Sequence, residues 1–178
     1  AIQGAAPHWA RSLTRRGCDA ETIPPAVHPR VLGRGEKKPG APTVLLYAHY
    51  DVRPPDPLEL WLSPPFEPTI RNGRIYARGV GDNKGQHFAQ IMAIEAHLKV
   101  HGTLPCNLIF LLEGEEEIGS PQIADFVRDN KDRLKADFVV TADGPLHESG
   151  RSTLTYGVRG MASFELRVRT AARDAHSG

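Results

Sequence analysis

The stretch TVLLYAHYD, residues 43–51, joins an apolar run of strand length to a polar end. A short continuous apolar run predicts a strand buried on both faces, as strands of parallel sheets are. Two further runs have the same character, NLIFLL at 107–112 and FVVTA at 138–142. Between these runs, apolar residues at helical spacing predict a helix from Lys84 to His101 and a later one that opens at Ser120-Pro121. Strands that alternate with helices predict an α/β fold, with a mainly parallel sheet and helices on both faces.

The flanking segments are less regular. Residues 5–16 are predicted to be helical, and residues 27–32 are predicted to form an edge strand within a segment rich in proline, glycine and charge. The prolines of residues 53–73 predict a structured loop, and residues 74–77 a short strand. In the helix after the predicted N-cap Ser120, the apolar residues that we expect to be buried are Ile123, Phe126, Val127 and Leu134.

The pattern changes near residue 152. Residues 153–156 and 162–170 alternate apolar and polar side chains, which predicts half-exposed antiparallel strands. We therefore expect a domain boundary near Arg159-Gly160, with one domain over residues 1–159 and the start of a second over 160–178. Both ends interrupt a predicted unit of structure, so we expect the chain to be a fragment.

Composition gives few indications of a partner. The 22 lysines and arginines nearly balance the 21 aspartates and glutamates, and the net charge is +1. This balance gives no reason to expect a nucleic-acid or membrane partner. The two cysteines, Cys18 and Cys106, lie far apart and form no disulfide or metal-binding motif, and no secretory leader is visible. We expect a cytoplasmic protein with both thiols reduced.

Polar residues follow each apolar run, where an open α/β sheet binds its ligands. His49 and Asp51 follow the first run, residues 113–117 (EGEEE) the second, and Asp143 the third, while Asp82 precedes the long helix. One imidazole with several carboxylates is ligand chemistry for zinc, manganese or cobalt. Each residue also has an ordinary interpretation, as a loop histidine, a helix cap or a solvated acidic face. From the residues alone, a metal site and these interpretations are about equally supported.

The polar residues lie within five motifs, which follow one another along the chain. The motifs are YAHYDV at 47–52, YARGVGDNKG at 76–85, EGEEEIGS at 113–120, Asp143, and HSG at 176–178. Taken in order, they resemble those of the M20 family of metallopeptidases and deacylases, whose members include acetylornithine deacetylase, succinyl-diaminopimelate desuccinylase and aminoacylase. The resemblance extends from residue 27 to the end of the chain, and the proline-rich segment after residue 51 is closest to the dipeptidase branch, which includes carnosinase-like enzymes.

The resemblance implies a site of two divalent metal ions, zinc first, with manganese or cobalt as alternatives. His49 and Asp143 would be terminal ligands on different metals, and Asp82 would bridge both. Glu117 would join the metal of His49, and a further histidine beyond residue 178 would complete the shell on the Asp143 side. Asp51 would accept the second ring N–H of His49, and the Asp82–Asn83 peptide bond would be cis.

The resemblance also implies the mechanism. Glu116 would be the general base for a hydroxide that bridges the two metals and attacks an amide carbonyl. His176, otherwise a loop residue before a Ser-Gly turn, would stabilise the oxyanion from the lid, in this family usually from the partner subunit.

The fold implied is a three-layer αβα catalytic domain with an inserted α+β domain that serves as lid and dimerisation surface, so we expect a homodimer.

Three functions are considered: a dipeptidase or short-peptide hydrolase, a deacylase of N-acyl amino acids, and a metal-binding scaffold without catalysis. Residues 1–178 alone are expected to be inactive, because a metal ligand and most of the lid are missing.

Overall fold

A computed structural model describes residues 2–24 and 28–168. It divides into two compact units, Ala1–Pro145 and Leu146–Gly178. The first unit contains all the regular secondary structure of the described residues.

The first unit is built around a mixed five-stranded sheet. Its strands are β1 (Asp19–Ile23), β2 (Arg30–Arg34), β3 (Thr43–His49), β6 (Asn107–Glu113) and β7 (Phe138–Thr141), and a separate hairpin contains β4 (Thr69–Arg71) and β5 (Arg74–Tyr76). The order in the sheet is β1-β2-β6-β3-β7. The three predicted apolar runs are β3, β6 and β7, and β3 pairs parallel with β6 on one side and with β7 on the other, as the sequence predicts. β1 pairs antiparallel with β2, and β2 pairs antiparallel with β6.

Helices cover both faces of the sheet, so the predicted αβα layering is confirmed. The helices are α1 (Ile2–Thr14), α2 (Lys84–His101) and α3 (Ile123–Asp129). On one face, Trp9 and Leu13 of α1 and Ile91 of α2 pack against side chains such as Leu46 and Phe110. On the other face, Phe126 of α3 packs against the alternate residues of the same strands, including Leu45, Ile109 and Leu111. The central strands are apolar throughout because both of their faces are buried.

The long helix α2 has the predicted bounds. Gly102 follows it in the left-handed conformation, with φ of 71°, and donates its amide to the carbonyl of Leu98 at 2.8 Å. Glycine is favoured there because it has no Cβ to oppose a positive φ.

The N-terminal edge differs from the prediction. The edge strand is β1, at residues predicted to be loop, and β2 lies inside the sheet between β1 and β6. The sequence of β1, Asp19-Ala-Glu-Thr-Ile23, contains no apolar run, because an edge strand needs only part of its surface buried.

The prediction for the helix after β6 was partly wrong. Ser120 is not its N-cap, since α3 begins only at Ile123, and the hydroxyl of Ser120 donates instead to Glu113 Oε1 at 2.7 Å. The helix ends at Asp129, before Leu134, and Val127 is exposed. Because the hydroxyl of Ser120 donates to Glu113, it does not cap the helix.

The strand β7 forms in the predicted place but is not buried. Phe138 is 61% exposed and Val139 65% exposed, because β7 is the last strand of the sheet and, within residues 2–24 and 28–168, pairs with β3 alone. Its apolar faces have no covering layer among the residues that the structure describes.

The second unit lacks the predicted strands over its described part. Residues 151–168 contain no strand, and Tyr156 and Phe164 are each 94% exposed. A pair of strands without a third strand or a helix to cover its apolar face is marginally stable in water, so alternation alone was insufficient here. Residues 169 and 170 of the second predicted strand lie outside the described residues.

None of the helices in the described ranges is long and apolar enough to cross a bilayer.

Candidate metal centre

Parallel pairing brings the polar ends of three strands to one edge of the sheet. In the register, His49 at the end of β3 is the partner of Glu113 at the end of β6. Tyr47 pairs with Thr141 of β7, so Asp143 follows two residues beyond this pair. Polar residues that directly follow the strands therefore meet at the carboxyl edge, as the sequence predicts.

His49 is the centre of this group, and its side chain is completely buried. Its Nε2 lies 3.0 Å from Asp82 Oδ1 and 3.3 Å from Asp143 Oδ2. A third carboxylate, that of Glu116, lies 3.7 Å from the same nitrogen. On the other side of the ring, Nδ1 lies 3.2 Å from Asp51 Oδ1, as the resemblance implies. One ring nitrogen therefore faces three carboxylates while the other is held by a fourth.

The loop before α2 brings Asp82 to His49. Its Asp82–Asn83 peptide bond is cis, which confirms the prediction from the resemblance. Asn83 is fully buried, and its Oδ1 accepts the backbone N–H of His49 at 3.1 Å. Lys84 donates from Nζ to the carbonyl of Tyr50 at 3.3 Å. The two residues that follow Asp82 thus tie the start of α2 to the end of β3.

The donor set fits a divalent metal. Ligand atoms from His49, Glu116 and Asp143 all lie within 4.8 Å of one another. Two ligands on one tetrahedral zinc lie about 3.4 Å apart, given zinc–ligand bonds of about 2.1 Å. The distances of 3.0 and 3.3 Å from His49 Nε2 to Asp82 and Asp143 are close to this value. Imidazole with carboxylates is also the ligand chemistry that zinc, manganese and cobalt share.

The local charges shift the pKa of the groups around His49. Burial lowers the pKa of His49, but the hydrogen bond to Asp51 and the charges of Asp51, Glu116 and Asp143 outweigh it and raise it to about 9. Burial raises the pKa of Asp51, but its hydrogen bonds from His49 and the Glu117 amide reverse this and leave it lowered. In the metal-free protein at neutral pH, His49 is therefore a cation among anions, and a metal ion would replace that proton.

The two glutamates of the EGEEE motif take different positions. They lie on a 3₁₀ turn, Glu116–Ile118, directly after β6. Burial raises the pKa of Glu116, the charge of His49 opposes this, and the charges of Asp143 and Glu117 add to it. Glu117 donates its backbone N–H to Asp51 Oδ2 at 2.9 Å, while its Oε2 accepts a hydrogen bond from Arg53 Nε at 2.8 Å.

The structure thus separates the candidate residues that surround His49 from one that does not. Asp82, Glu116 and Asp143 surround His49, whereas the carboxylate of Glu117 lies outside this closest group and is paired with Arg53. Asp143 Oδ2 lies 3.3 Å from His49 Nε2, and the resemblance implied that these two residues bind different metals. His176 lies outside the described residues.

Sequence reasoning missed several side chains that support the site. Asn83 and Arg53 had no assigned role, and their only signal was their position inside the motifs around Asp82 and Asp51. Glu115 belongs to the acidic run 113–117, for which a solvated face was the ordinary interpretation, yet it is only 3% exposed and forms an ion pair with buried Arg30 at 3.7 Å. Arg30 is a single arginine at the start of an apolar strand, and nothing in its sequence neighbourhood indicated this contact.

The sequence matches Peptidase family M20/M25/M40 over residues 45–174. The chain belongs to this family. It is 37% identical over 171 residues to the Cys-Gly metallodipeptidase dug1 of Schizosaccharomyces pombe, covering 94% of this chain and 36% of that protein. It is 35% identical over 162 residues to the human Beta-Ala-His dipeptidase, covering 90% of this chain and 32% of that protein.

A solved structure supports the fold independently. The M20 family metallo-carboxypeptidase Sso-CP2 from Sulfolobus solfataricus superposes with a TM-score of 0.77 at 39% identity, covering 84% of this chain and 34% of that one. The chain therefore spans about a third of the length of the relatives that it matches.

Proposed function

We propose that this chain is part of a metal-dependent hydrolase that cleaves the amide bond of dipeptides or short peptides. The observation that carries the proposal is the buried His49 imidazole, with three carboxylates 3.0–3.7 Å from its Nε2. Such crowding of like charges is unfavourable unless a cation relieves it. The names of the relatives, a Cys-Gly metallodipeptidase and a Beta-Ala-His dipeptidase, supply the substrate class.

The distances favour a revised ligand assignment. His49, Asp82 and Asp143 would hold one divalent ion, since His49 Nε2 lies 3.0 Å from Asp82 Oδ1 and 3.3 Å from Asp143 Oδ2, close to the separation of two ligands on one ion. Asp82 is 64% exposed, so a carboxylate oxygen is available to a second ion, which Glu117 would also bind. Zinc is the first choice for both positions, and manganese or cobalt are the alternatives.

Glu116 is the proposed general base. When bound, the metal ions would polarise the substrate carbonyl and acidify a nearby water. Glu116 lies 3.7 Å from His49 Nε2 and is 38% exposed, so it can reach both the ion site and a substrate in the open crevice. Glu116 would take a proton from that water and return it to the departing amine.

Asp51 would position rather than react. Its two oxygens hold His49 Nδ1 and the amide of Glu117, so a single carboxylate orients one proposed ligand on each side of the site. Carboxylates in this position fix the tautomer and orientation of a ligating histidine. Stabilisation of the oxyanion by His176, and a homodimer through the second domain, stay predictions from the resemblance.

The test is Glu116→Gln in the protein as its gene encodes it, assayed with a panel of dipeptides and N-acyl amino acids. Glutamine keeps the size of the side chain but cannot accept and return a proton, so turnover should fall by about 10²–10⁴-fold while zinc stays bound. Glu36→Gln, at an exposed position away from the site, is the matched control and should retain wild-type turnover.

The outcomes separate the three candidate functions. Hydrolysis of dipeptides supports the proposal, and hydrolysis of N-acyl amino acids alone would make the protein a deacylase. Zinc binding without turnover of any substrate would identify a metal-binding scaffold. Unchanged turnover in Glu116→Gln would show that Glu116 is not the base.

A further inference from the structure

The ion pair between Arg30 and Glu115 lies directly behind the turn that presents Glu116 and Glu117. Arg30, the first residue of β2, is 2% exposed, and Glu115 is 3% exposed. Arg30 Nη2 lies 3.7 Å from Glu115 Oε2, and the guanidinium carbon lies 4.9 Å from the ring centre of Phe126. Charged side chains are rarely buried to this extent without a specific partner, so this pair calls for an explanation.

The position of Glu115 at the start of the 3₁₀ turn supplies an explanation for the buried ion pair. Its backbone carbonyl accepts the amides of Ile118 at 3.3 Å and Ser120 at 2.8 Å, and these two hydrogen bonds close the turn. A shift of Glu115 would therefore move the whole turn, including the two carboxylates that it carries. The side chain of Glu115 has few other restraints, since the contact from Gln122 Nε2 to its Oε1 is 3.5 Å long.

Arg30 connects this turn to two other elements. Its backbone belongs to β2, which pairs with β6, and its guanidinium stacks on Phe126 of α3. Within the described residues, Arg30 Nε and Nη2 and Glu115 Oε2 have no hydrogen-bond partner. The pair is thus held by charge and stacking rather than by a hydrogen-bond network. Burial of two charged groups without full hydrogen bonding costs folding free energy, so the pair does not serve packing alone.

We propose that Arg30 is a positioning residue for the site: through Glu115 it fixes the 3₁₀ turn and thereby the carboxylates of Glu116 and Glu117. Neither Arg30 nor Glu115 is itself a proposed ligand, so the pair would act through the turn. This inference rests on the proposed function only for the roles of Glu116 and Glu117, and the position of the turn can be measured without metal or substrate.

The experiment compares three variants of the gene-encoded protein: Arg30→Met, Glu115→Met and the double variant. Each single change leaves a buried charge without its partner and should lower the denaturation midpoint. The double variant replaces the pair with two apolar side chains and should regain most of the lost stability, because such replacements are often neutral or stabilising. The double variant can therefore be measured even if one of the single variants does not fold.

The first readout is hydrogen exchange of the amides of Ile118 and Ser120 in the metal-free protein. In the double variant, both should exchange about tenfold faster, equivalent to about 1.4 kcal/mol of lost local stability. The amide of Gly102, which donates to Leu98 at the far end of α2, is the internal control and should not change. Arg34→Met is the matched variant on the same strand, since Arg34 donates to the carbonyl of Arg133 rather than contacting the turn.

The second readout is zinc affinity, which should fall by about 10–100-fold in the double variant, as for other residues that orient ligands from outside. A double variant with wild-type amide exchange and wild-type zinc affinity would overturn the inference and leave the pair a structural contact. Failure of the wild-type protein to bind zinc would instead refute the proposed function, while the exchange rates would still decide whether Arg30 positions the turn.

Discussion

Asp51→Asn tests whether one buried carboxylate organises the centre. Asp51 is 3% exposed and accepts hydrogen bonds on both oxygens, from His49 Nδ1 at 3.2 Å and from the amide of Glu117 at 2.9 Å. Asparagine has one oxygen and one NH₂ group in the same space. One of the two donors would therefore face another donor, and the negative charge that orients His49 would be lost.

The magnitude follows from these contacts. A hydrogen bond to a charged group contributes about 1.5–3 kcal/mol, so losing one should lower the free energy of unfolding by about that amount. Loss of a carboxylate that orients a ligating histidine typically weakens metal binding by about 10–100-fold. At about 1.4 kcal/mol per factor of ten, this corresponds to about 1.4–2.8 kcal/mol of zinc-binding free energy.

The assay is zinc titration calorimetry at neutral pH, preceded by denaturant unfolding to establish that the variant is folded. Asp125→Asn is the matched control, since Asp125 is exposed on α3 and, among the described residues, forms its ion pair with Arg128 of the same helix. Exposed pairs of this kind contribute little, so the control should keep wild-type affinity and stability. If Asp51→Asn bound zinc as tightly as the wild type, Asp51 would not orient a metal ligand.

Two further predictions concern the helix that begins beside the site. A Cβ at Gly85 would clash with the backbone carbonyl oxygen of Val80, so Gly85→Ala should lower the free energy of unfolding by about 1–3 kcal/mol. A Cβ at Gly81 would meet nothing within 4 Å, so Gly81→Ala should change the free energy of unfolding by less than about 0.5 kcal/mol. Equal effects of the two variants in thermal denaturation would contradict this prediction. Burial, with the nearby charges of His49 and Lys84, lowers the pKa of His87 to about 4, below its unfolded value of about 6.5, so the unfolded chain takes up a proton first and stability falls as the pH drops from 6.5 toward 4. We expect His87→Leu to remove about 2 kcal/mol of the stability difference between pH 7 and pH 5, and an unchanged pH dependence would show that His87 does not titrate in this way.

The sequence predicted the parallel core well because burial on both faces imposes a strong pattern. The central runs of β3 and β6 are apolar, and a parallel sheet between helix layers requires such runs, whereas β7 forms in the predicted place but stays exposed. The bounds of α2 were equally clear, since Gly102 ends its apolar periodicity. Elements that depend on partners were less predictable: polar β1 forms an edge strand, and the alternation after residue 152 has no strand in the described residues.

The sequence by itself determined the fold class, the family and the residue types at the candidate metal centre, because motif order and strand periodicity are local properties of the chain. Only the tertiary structure decided which of those residues meet. Strand register and the loop before α2 bring Asp82 and Asp143 to the same nitrogen of His49, and the 3₁₀ turn directs Glu117 toward Arg53. The burial of Arg30 against Glu115 was likewise decided by packing, since their partnership spans segments far apart in sequence and leaves no periodic signal in either.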